Sequence, residues 1–285
     1  MKNNLKTAAI LAGLGAVCMV IGGALGGNQG VVIGLLVGLG ITGFSYWFSD
    51  KIAIRAAGGK PVTEAEMPQY YAIVSELARL DGVPMPSLYI SPNPQPNAFA
   101  TGRNPAHAAV CINQGILQYL DWDELRGVLA HEMSHVRNRD ILTTSVAAGV
   151  AMGIMFAARM AMFGALLGGG GNSRNREGGA LGGLLMIVLA PIAATFLQMA
   201  LSRSREYEAD AAGARLLGTG EPLARALEKL ELGATRTPVD LNPAMAQAYI
   251  VNPLRRAGRQ GGSNLFSTHP PTADRIARLR SGEWR

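Results

Sequence analysis

The chain has 285 residues, of which 48% are hydrophobic and 16% are charged, and its net charge is +6. These values exclude an ordinary soluble protein, because the apolar residues concentrate in long uncharged runs that are typical of membrane spans. The positive charge suits loops that lie against anionic lipid and set the topology. No RNP, zinc-finger or helix-turn-helix pattern is present, so we expect no nucleic-acid partner.

Two uncharged runs open the chain, at residues 7–25 and 30–48, with only four neutral residues between them. The first run follows Lys2 and Lys6, and by itself it would also fit a signal peptide. Two runs joined by a tight neutral turn favour a transmembrane hairpin instead. Positive charge lies at both open ends of this hairpin and is absent from its turn. This pattern predicts a cytoplasmic N-terminus and a cytoplasmic segment from residue 51 onward.

A first soluble block is predicted at residues 50–140. Its first helix spans residues 63–80, with Thr63 and Glu66 as cap partners. Short runs bounded by turn residues predict three strands after this helix, at residues 87–91, 97–102 and 108–112.

The sequence predicts a solvated or structural role for His107 and no disulfide between the two cysteines. His107 stands alone among small residues at a predicted turn, and we interpret it as solvated or structural. Cys18 lies in the first uncharged run and Cys111 in the soluble block. We therefore expect no disulfide between them and a reducing compartment around the soluble part.

The sequence His-Glu-Met-Ser-His at residues 131–135 lies on a predicted helix that begins near Asp121, where Asp and Glu form a capping-box pattern. Residues four apart share one face of a helix, so His131 and His135 can bind one Zn²⁺ through imidazole nitrogens. Glu132 flanks this metal, where its carboxylate can take a proton from a zinc-bound water. A chance occurrence of the motif on a surface helix is the alternative. The chain has only four histidines, and two of them are here.

A third uncharged run covers residues 141–158 and predicts a span at about 141–160, and a fourth uncharged run covers residues 180–201. Arg159 lies near the end of the third run, where its side chain can snorkel to the far interface. The alternative is a charge that faces the interior of the helix bundle. The glycine-rich segment 168–179 between the two runs is predicted to be an outer loop, although its two arginines count against this topology.

The third metal ligand is expected in the second soluble block, residues 202–285. Glu206 and Asp210 lie four apart on a predicted helix, so one can bind the metal while the other orients an imidazole. The spacing does not decide between them, and a charged helix start is the structural alternative. Glu208 points to another face and is expected to be solvated. His269 could donate to an oxyanion, but helix capping or a surface role explains it equally well.

The chain resembles the HtpX family of integral-membrane zinc endopeptidases, which are related to the prenyl-protein proteases that process CAAX proteins. The resemblance extends over nearly the whole chain. It rests on four segments in the order of the family, at residues 97–100, 131–135, 202–210 and 267–271.

This resemblance implies roles that the spacing leaves open. It implies that Glu206 is the zinc ligand and that Asp210 orients a ligand histidine. It also implies that Asn97 and Ala98 lie on an edge strand that aligns the substrate backbone. His269 and Arg275 are implied to lie near the active site, on the oxyanion of the reaction.

The predicted fold class is α+β and mainly helical: a multi-pass membrane protein with four transmembrane helices and a gluzincin-like protease domain that contains a small β-sheet. The predicted function is a zinc endopeptidase with one Zn²⁺ per chain and polypeptide substrates. The enzyme would lie in the lipid bilayer of the bacterial inner membrane and remove misfolded or damaged membrane proteins at the cytoplasmic face. A CAAX-type processing protease and a catalytically silent membrane scaffold are the alternatives. The predicted segments are two hairpins, 1–49 and 141–201, and two parts of the protease domain, 50–140 and 202–285.

Overall fold

The computed structural model describes residues 2–142, 203–236, 249–250 and 270–285. Apart from residues 141 and 142, the predicted third and fourth spans lie outside these residues. The glycine-rich segment 168–179, Arg159 and His269 also lie outside the described residues.

Helix α1 is assigned from Lys2 to Trp47, but it is interrupted at Gly27, which has a φ of +57°. A Cβ atom added to Gly38 would lie 3.1 Å from the Cα atom of Gly15. Residues 23 positions apart in a straight helix would be about 35 Å apart, so the chain reverses between them. Among the described residues, Gly27–Trp47 is the one helix that is long and apolar enough to cross a membrane by length and composition.

Helix α2 (Ser49–Ala56) follows α1 directly and lies against the sheet. Ile54 packs with Ala109 and Cys111 in a small cluster that is separate from the main core. Both cysteines are free. Burial raises the pKa of the Cys111 thiol to about 12, so this cysteine acts as a small core residue.

A four-stranded mixed sheet has the order β1-β2-β4-β3. The strands are β1 (Lys60–Pro61), β2 (Ser87–Ser91), β3 (Ala98–Gly102) and β4 (Ala108–Asn113). Strands β2 and β4 are parallel, whereas β3 is antiparallel to β4 and pairs Ala100 with Val110. The three strands predicted from the sequence are therefore confirmed, and β3 forms one edge of the sheet.

Helix α3 spans Pro68–Asp81 and starts five residues later than the sequence pattern predicted. The predicted cap partners do meet, because the Thr63 backbone N–H donates to Glu66 Oε2 at 2.8 Å. They close a separate turn, however, and the helix begins only at Pro68. Proline fits the first position of a helix because its missing N–H would have no partner there.

Helix α4 (Trp122–Arg137) lies at the centre of the described fold. It packs against α3, β3, α5 (Arg203–Leu217) and α6 (Glu221–Arg236), while α7 (Thr272–Ser281) packs on α5 and α6. The predicted capping box is present in full, with the Asp121 carboxylate accepting from the Glu124 backbone N–H. Val128, Leu129 and Met133 of α4 are fully buried in the main core.

Two glycines set how closely the other helices approach α4. A Cβ atom on Gly127 would lie 2.5 Å from the backbone nitrogen of Leu223 in α6. A Cβ atom on Gly213 of α5 would lie 3.0 Å from the backbone nitrogen of His131. The second contact fixes α5 directly against the part of α4 that contains the histidine motif.

Candidate metal centre

Three side chains from α4 and α5 converge on one point. The Nε2 atoms of His131 and His135 lie 3.3 Å apart. Each lies 3.7 Å from a carboxylate oxygen of Glu206. One ligand atom from each of these residues falls within 4.8 Å of the others, and among the described residues this is the group that could hold a metal ion.

The geometry of this group fits a metal ion. Two imidazole nitrogens that bind one zinc ion at the tetrahedral angle, about 2.0–2.1 Å away, lie about 3.3–3.4 Å apart, close to the spacing seen here. The Nδ1 atom of each ring faces a carboxylate, which favours the tautomer with its proton on Nδ1. When both rings are neutral, the two Nε2 lone pairs face each other, and a shared cation, either a proton or a metal ion, relieves their repulsion.

The electrostatic surroundings of His135 also favour a cation. Burial opposes a positive charge on the ring, yet three carboxylates outweigh it and raise the pKa of the imidazole to about 9. These carboxylates belong to Asp140, Glu206 and Glu132. The negative charges around this ring therefore favour a positive charge in the site, and the Glu206 carboxylate lies on its Nε2 side.

Asp210 connects His131 to a buried arginine. Its Oδ1 atom lies 2.8 Å from Nδ1 of His131, although the ring is not well aligned for a full hydrogen bond. Arg275 holds the same carboxylate with two nitrogens, at 2.8 and 2.7 Å. Burial raises the pKa of Asp210, but Arg275 outweighs burial and lowers it to about 2. Asp210 is therefore a charged group that faces the ligand ring.

Asp140 stands in the same relation to the second ligand histidine, and the sequence analysis did not identify it. Its Oδ2 atom lies 3.3 Å from Nδ1 of His135, and Arg205 Nη1 donates to its Oδ1 at 3.4 Å. Helix α4 ends at Arg137, and a turn in which Arg139 has a φ of +58° leads to Asp140. The position of this aspartate, five residues after the second histidine of the motif, is the sequence signal that could have identified it.

Glu132 is 6% exposed, and a backbone group of the edge strand β3 fixes its carboxylate. The Ala100 N–H donates to Glu132 Oε2 at 2.9 Å. Asn113 N–H donates to Asn97 O in the β3–β4 ladder. Because successive residues of an edge strand alternate between its two sides, the backbone groups of Ala98 and Ala100 point away from β4 and toward α4.

The side chain of Asn97 contacts a distant segment of the chain, and its implied part in aligning substrate stays a prediction. It is 2% exposed, and its Oδ1 accepts from the Ile250 backbone N–H at 3.0 Å. It therefore holds a distant segment of the chain at the start of β3. Ala98 lies at the predicted place, on the edge strand.

Arg275 lies close to the metal centre, behind Asp210. Besides Asp210, its guanidinium donates to the Ile250 carbonyl at 3.1 Å, and the side chain is 1% exposed. Arg275 therefore supports Asp210 from behind, and its implied role on the oxyanion stays a prediction. His107 is exposed and Glu208 is exposed beside Arg215, as predicted for both.

Comparison with known proteins decides the family. The model of Peptidase family M48 matches residues 64–283. The chain belongs to peptidase family M48. It is 49% identical to a protein named Protease HtpX homolog from Syntrophobacter fumaroxidans, over 99% of this chain and 100% of that protein. It is 46% identical to one of the same name from Pelotomaculum thermopropionicum, over 98% and 99% of the two chains.

The fold of this M48 chain is also similar to the crystal structure of S. mikatae Ste24p. The TM-score is 0.52 at 17% sequence identity, with 97% of this chain covered. The chain spans 64% of the length of Ste24p, and this likeness concerns the fold alone. The family and the HtpX relatives make the chain a metalloprotease, which confirms the resemblance identified from its motifs.

Proposed function

We propose that this M48 peptidase is a zinc-dependent endopeptidase of the bacterial inner membrane that removes misfolded or damaged membrane proteins at the cytoplasmic face. The observation that carries the proposal is the convergence of two imidazoles and one carboxylate beside Glu132. Residues His131, His135 and Glu206 would hold the zinc ion. Three protein ligands leave one of four tetrahedral positions open, which is the arrangement of catalytic zinc sites.

The residues of this chain divide the chemistry between them. Zinc, when bound, supplies a Lewis acid that acidifies water and polarises the scissile carbonyl. Glu132 accepts the proton of the attacking water and then delivers it to the leaving amine. The Ala100 N–H keeps the Glu132 carboxylate in one orientation. Asp210 and Asp140 fix the two imidazole rings from their Nδ1 sides.

The membrane location rests on the first helices and on the pattern of charge. Many large apolar side chains between Val31 and Phe48 are exposed, including Leu36 at 63% and Ile33 at 61%. Surfaces of this size do not remain in water on a soluble monomer. An even number of spans, two hairpins at 1–49 and 141–201, would keep both parts of the protease domain on the cytoplasmic side.

The direct test compares the purified wild-type enzyme with Glu132→Gln on casein and on a membrane-protein substrate. We expect a loss of about 100- to 10,000-fold in hydrolysis, because the general base is removed, with zinc content unchanged. Equal hydrolysis by both proteins would remove Glu132 from the mechanism. A wild type that binds zinc but cleaves neither substrate would favour a silent scaffold.

A second experiment tests the metal ligands. We expect stoichiometric zinc in the wild type and in Glu208→Ala, and loss of zinc in Glu206→Ala. Glu208 is the matched control, because it lies on the same helix with an exposed side chain. Full zinc in Glu206→Ala would contradict the assignment. Mass spectrometry of the products then separates scattered cleavage, as expected for quality control, from cleavage at a single site.

A further inference from the structure

Exposed aromatic side chains surround the C-terminal end of α1. Phe44 is 59% exposed, Trp47 57% and Phe48 40%. The Lys51 Nζ atom lies 5.5 Å from the Phe48 ring centroid, and the Arg103 guanidinium lies 4.8 Å from that of Trp47. Exposed aromatic rings beside cations, at the end of an apolar helix, are typical of the membrane–water interface. This end of α1 therefore marks the level at which the protein leaves the bilayer.

The C-terminal end of the edge strand β3 is tied to this same level. Arg103 follows β3 directly, and its Nη1 atom donates to the Trp47 carbonyl at 3.2 Å. The Thr101 hydroxyl donates to the Ser49 carbonyl at 3.4 Å. Two side chains from the end of one strand thus bind the backbone on both sides of the junction between α1 and α2.

The middle of β3 lies at the catalytic carboxylate, since the Ala100 N–H donates to Glu132. Ala100 precedes Arg103 by three residues, which is about 10 Å along a strand. Adding the reach of the Arg103 side chain to Trp47 places Glu132 on the order of 10–17 Å from the interface. An extended peptide covers that distance with about three to five residues.

We propose that β3 acts as a ruler for substrates that are anchored in the membrane. An extended segment that emerges from the bilayer pairs with the edge of β3, and the bond presented to Glu132 lies about three to five residues from the end of its span. The preferred substrate class is therefore a membrane-anchored polypeptide with an unfolded segment immediately beside its span. This inference rests on the proposed membrane peptidase function.

The test uses single-span reporter polypeptides in vesicles, each with a flexible Gly/Ser-rich segment of 5, 10, 20 or 30 residues before a folded domain. Cleavage sites are mapped by mass spectrometry after incubation with the full-length enzyme in the same vesicles. We expect the sites to keep one distance from the span in every reporter, whatever the length of the segment. Sites that spread along the whole segment as it lengthens would overturn the ruler.

Hydrolysis of casein in detergent separates a failure of the proposed peptidase function from a failure of the ruler. An enzyme that hydrolyses neither casein nor any reporter would contradict the proposed peptidase function itself. An enzyme that hydrolyses casein but cleaves the long reporters throughout would contradict the ruler alone. The wild-type enzyme suffices for both measurements, so neither depends on the folding of a variant.

A variant of Arg103 then tests whether its contact with Trp47 sets the distance between the span and the cleavage site. We expect Arg103→Ala to widen the distribution of cleavage sites by several residues in the 20- and 30-residue reporters. Arg79→Ala, which removes an exposed arginine from α3, is the matched control and should keep the wild-type distribution. An Arg103→Ala enzyme with the wild-type distribution would show that this contact does not set the distance.

Discussion

Replacement of Arg275 by methionine tests how the buried support of the metal centre contributes to stability. Arg275 and Asp210 are 1% and 5% exposed at their side chains, and two hydrogen bonds of 2.8 and 2.7 Å join them. Methionine is unbranched like the aliphatic stem of arginine but has no charge, so Arg275→Met leaves the Asp210 carboxylate buried without its cation. Removal of one partner from a buried ion pair is destabilising for this reason.

The magnitude follows from the pKa of Asp210. The pKa falls from an ordinary value of 3.8 to about 2 in the folded protein. A shift of this size corresponds to about 2–3 kcal/mol in favour of the charged form. Broken buried pairs cost about 3–5 kcal/mol in general, so we expect Arg275→Met to lower the free energy of unfolding by roughly 3 kcal/mol. For a domain of this size, that loss lowers the Tm by about 6–12 °C.

The assay is thermal unfolding in detergent at one fixed zinc concentration, because a bound metal stabilises the folded state by itself. The cycle includes Asp210→Asn and the double variant Asp210→Asn/Arg275→Met. The double variant contains no unpaired buried charge, so we expect it to recover part of the stability lost in Arg275→Met. A Tm of Arg275→Met within about 1 °C of the wild type, or strict additivity in the cycle, would refute this reasoning.

Asp140→Asn tests the support of a metal ligand, and Gly127→Ala tests the close packing of α6 on α4. Asp140→Asn removes the charged partner of the His135 ring, and we expect a 10- to 100-fold loss of zinc affinity by chelator competition. Asp274→Asn on α7 is its control, and equal affinities would show that Asp140 does not support the ligand. Gly127→Ala places a methyl group against the backbone of Leu223, and we expect a loss of about 1–3 kcal/mol in chemical denaturation. Gly82→Ala is the comparison, because its added Cβ meets nothing within 4 Å while its φ is +66°. Any loss of stability in Gly82→Ala therefore reports backbone strain, whereas the loss in Gly127→Ala reports the clash.

The parts of the site that lie on one helix could be predicted from the sequence. The capping box of α4 and the facing of His131 and His135 depend on residues three and four apart, and α-helical geometry fixes both. The choice of Glu206 over Asp210 needed the family resemblance. Both residues share one face of α5, and only the packing of α5 on α4 brings Glu206 to the two rings.

Other features depend on contacts between distant segments, which no local pattern contains. Arg275 lies 65 residues from Asp210 in sequence, and its separation from Ile250 is 25 residues. The start of α3 was predicted too early for a different reason. The Thr63–Glu66 pattern forms its hydrogen bond in a turn as readily as in a helix, so a capping signature does not by itself show where a helix begins.

The hydrogen bond between Ala100 and Glu132 has a consequence for the choice of target. The carboxylate that would move the proton is hydrogen-bonded to the strand that would receive the peptide, so under the proposed function a target would be aligned by its main chain. Recognition through main-chain groups depends little on the order of amino acids and strongly on whether a stretch can become extended. Under the same proposal, a well-folded protein would offer no such stretch, whereas an unfolded one would be open to cleavage.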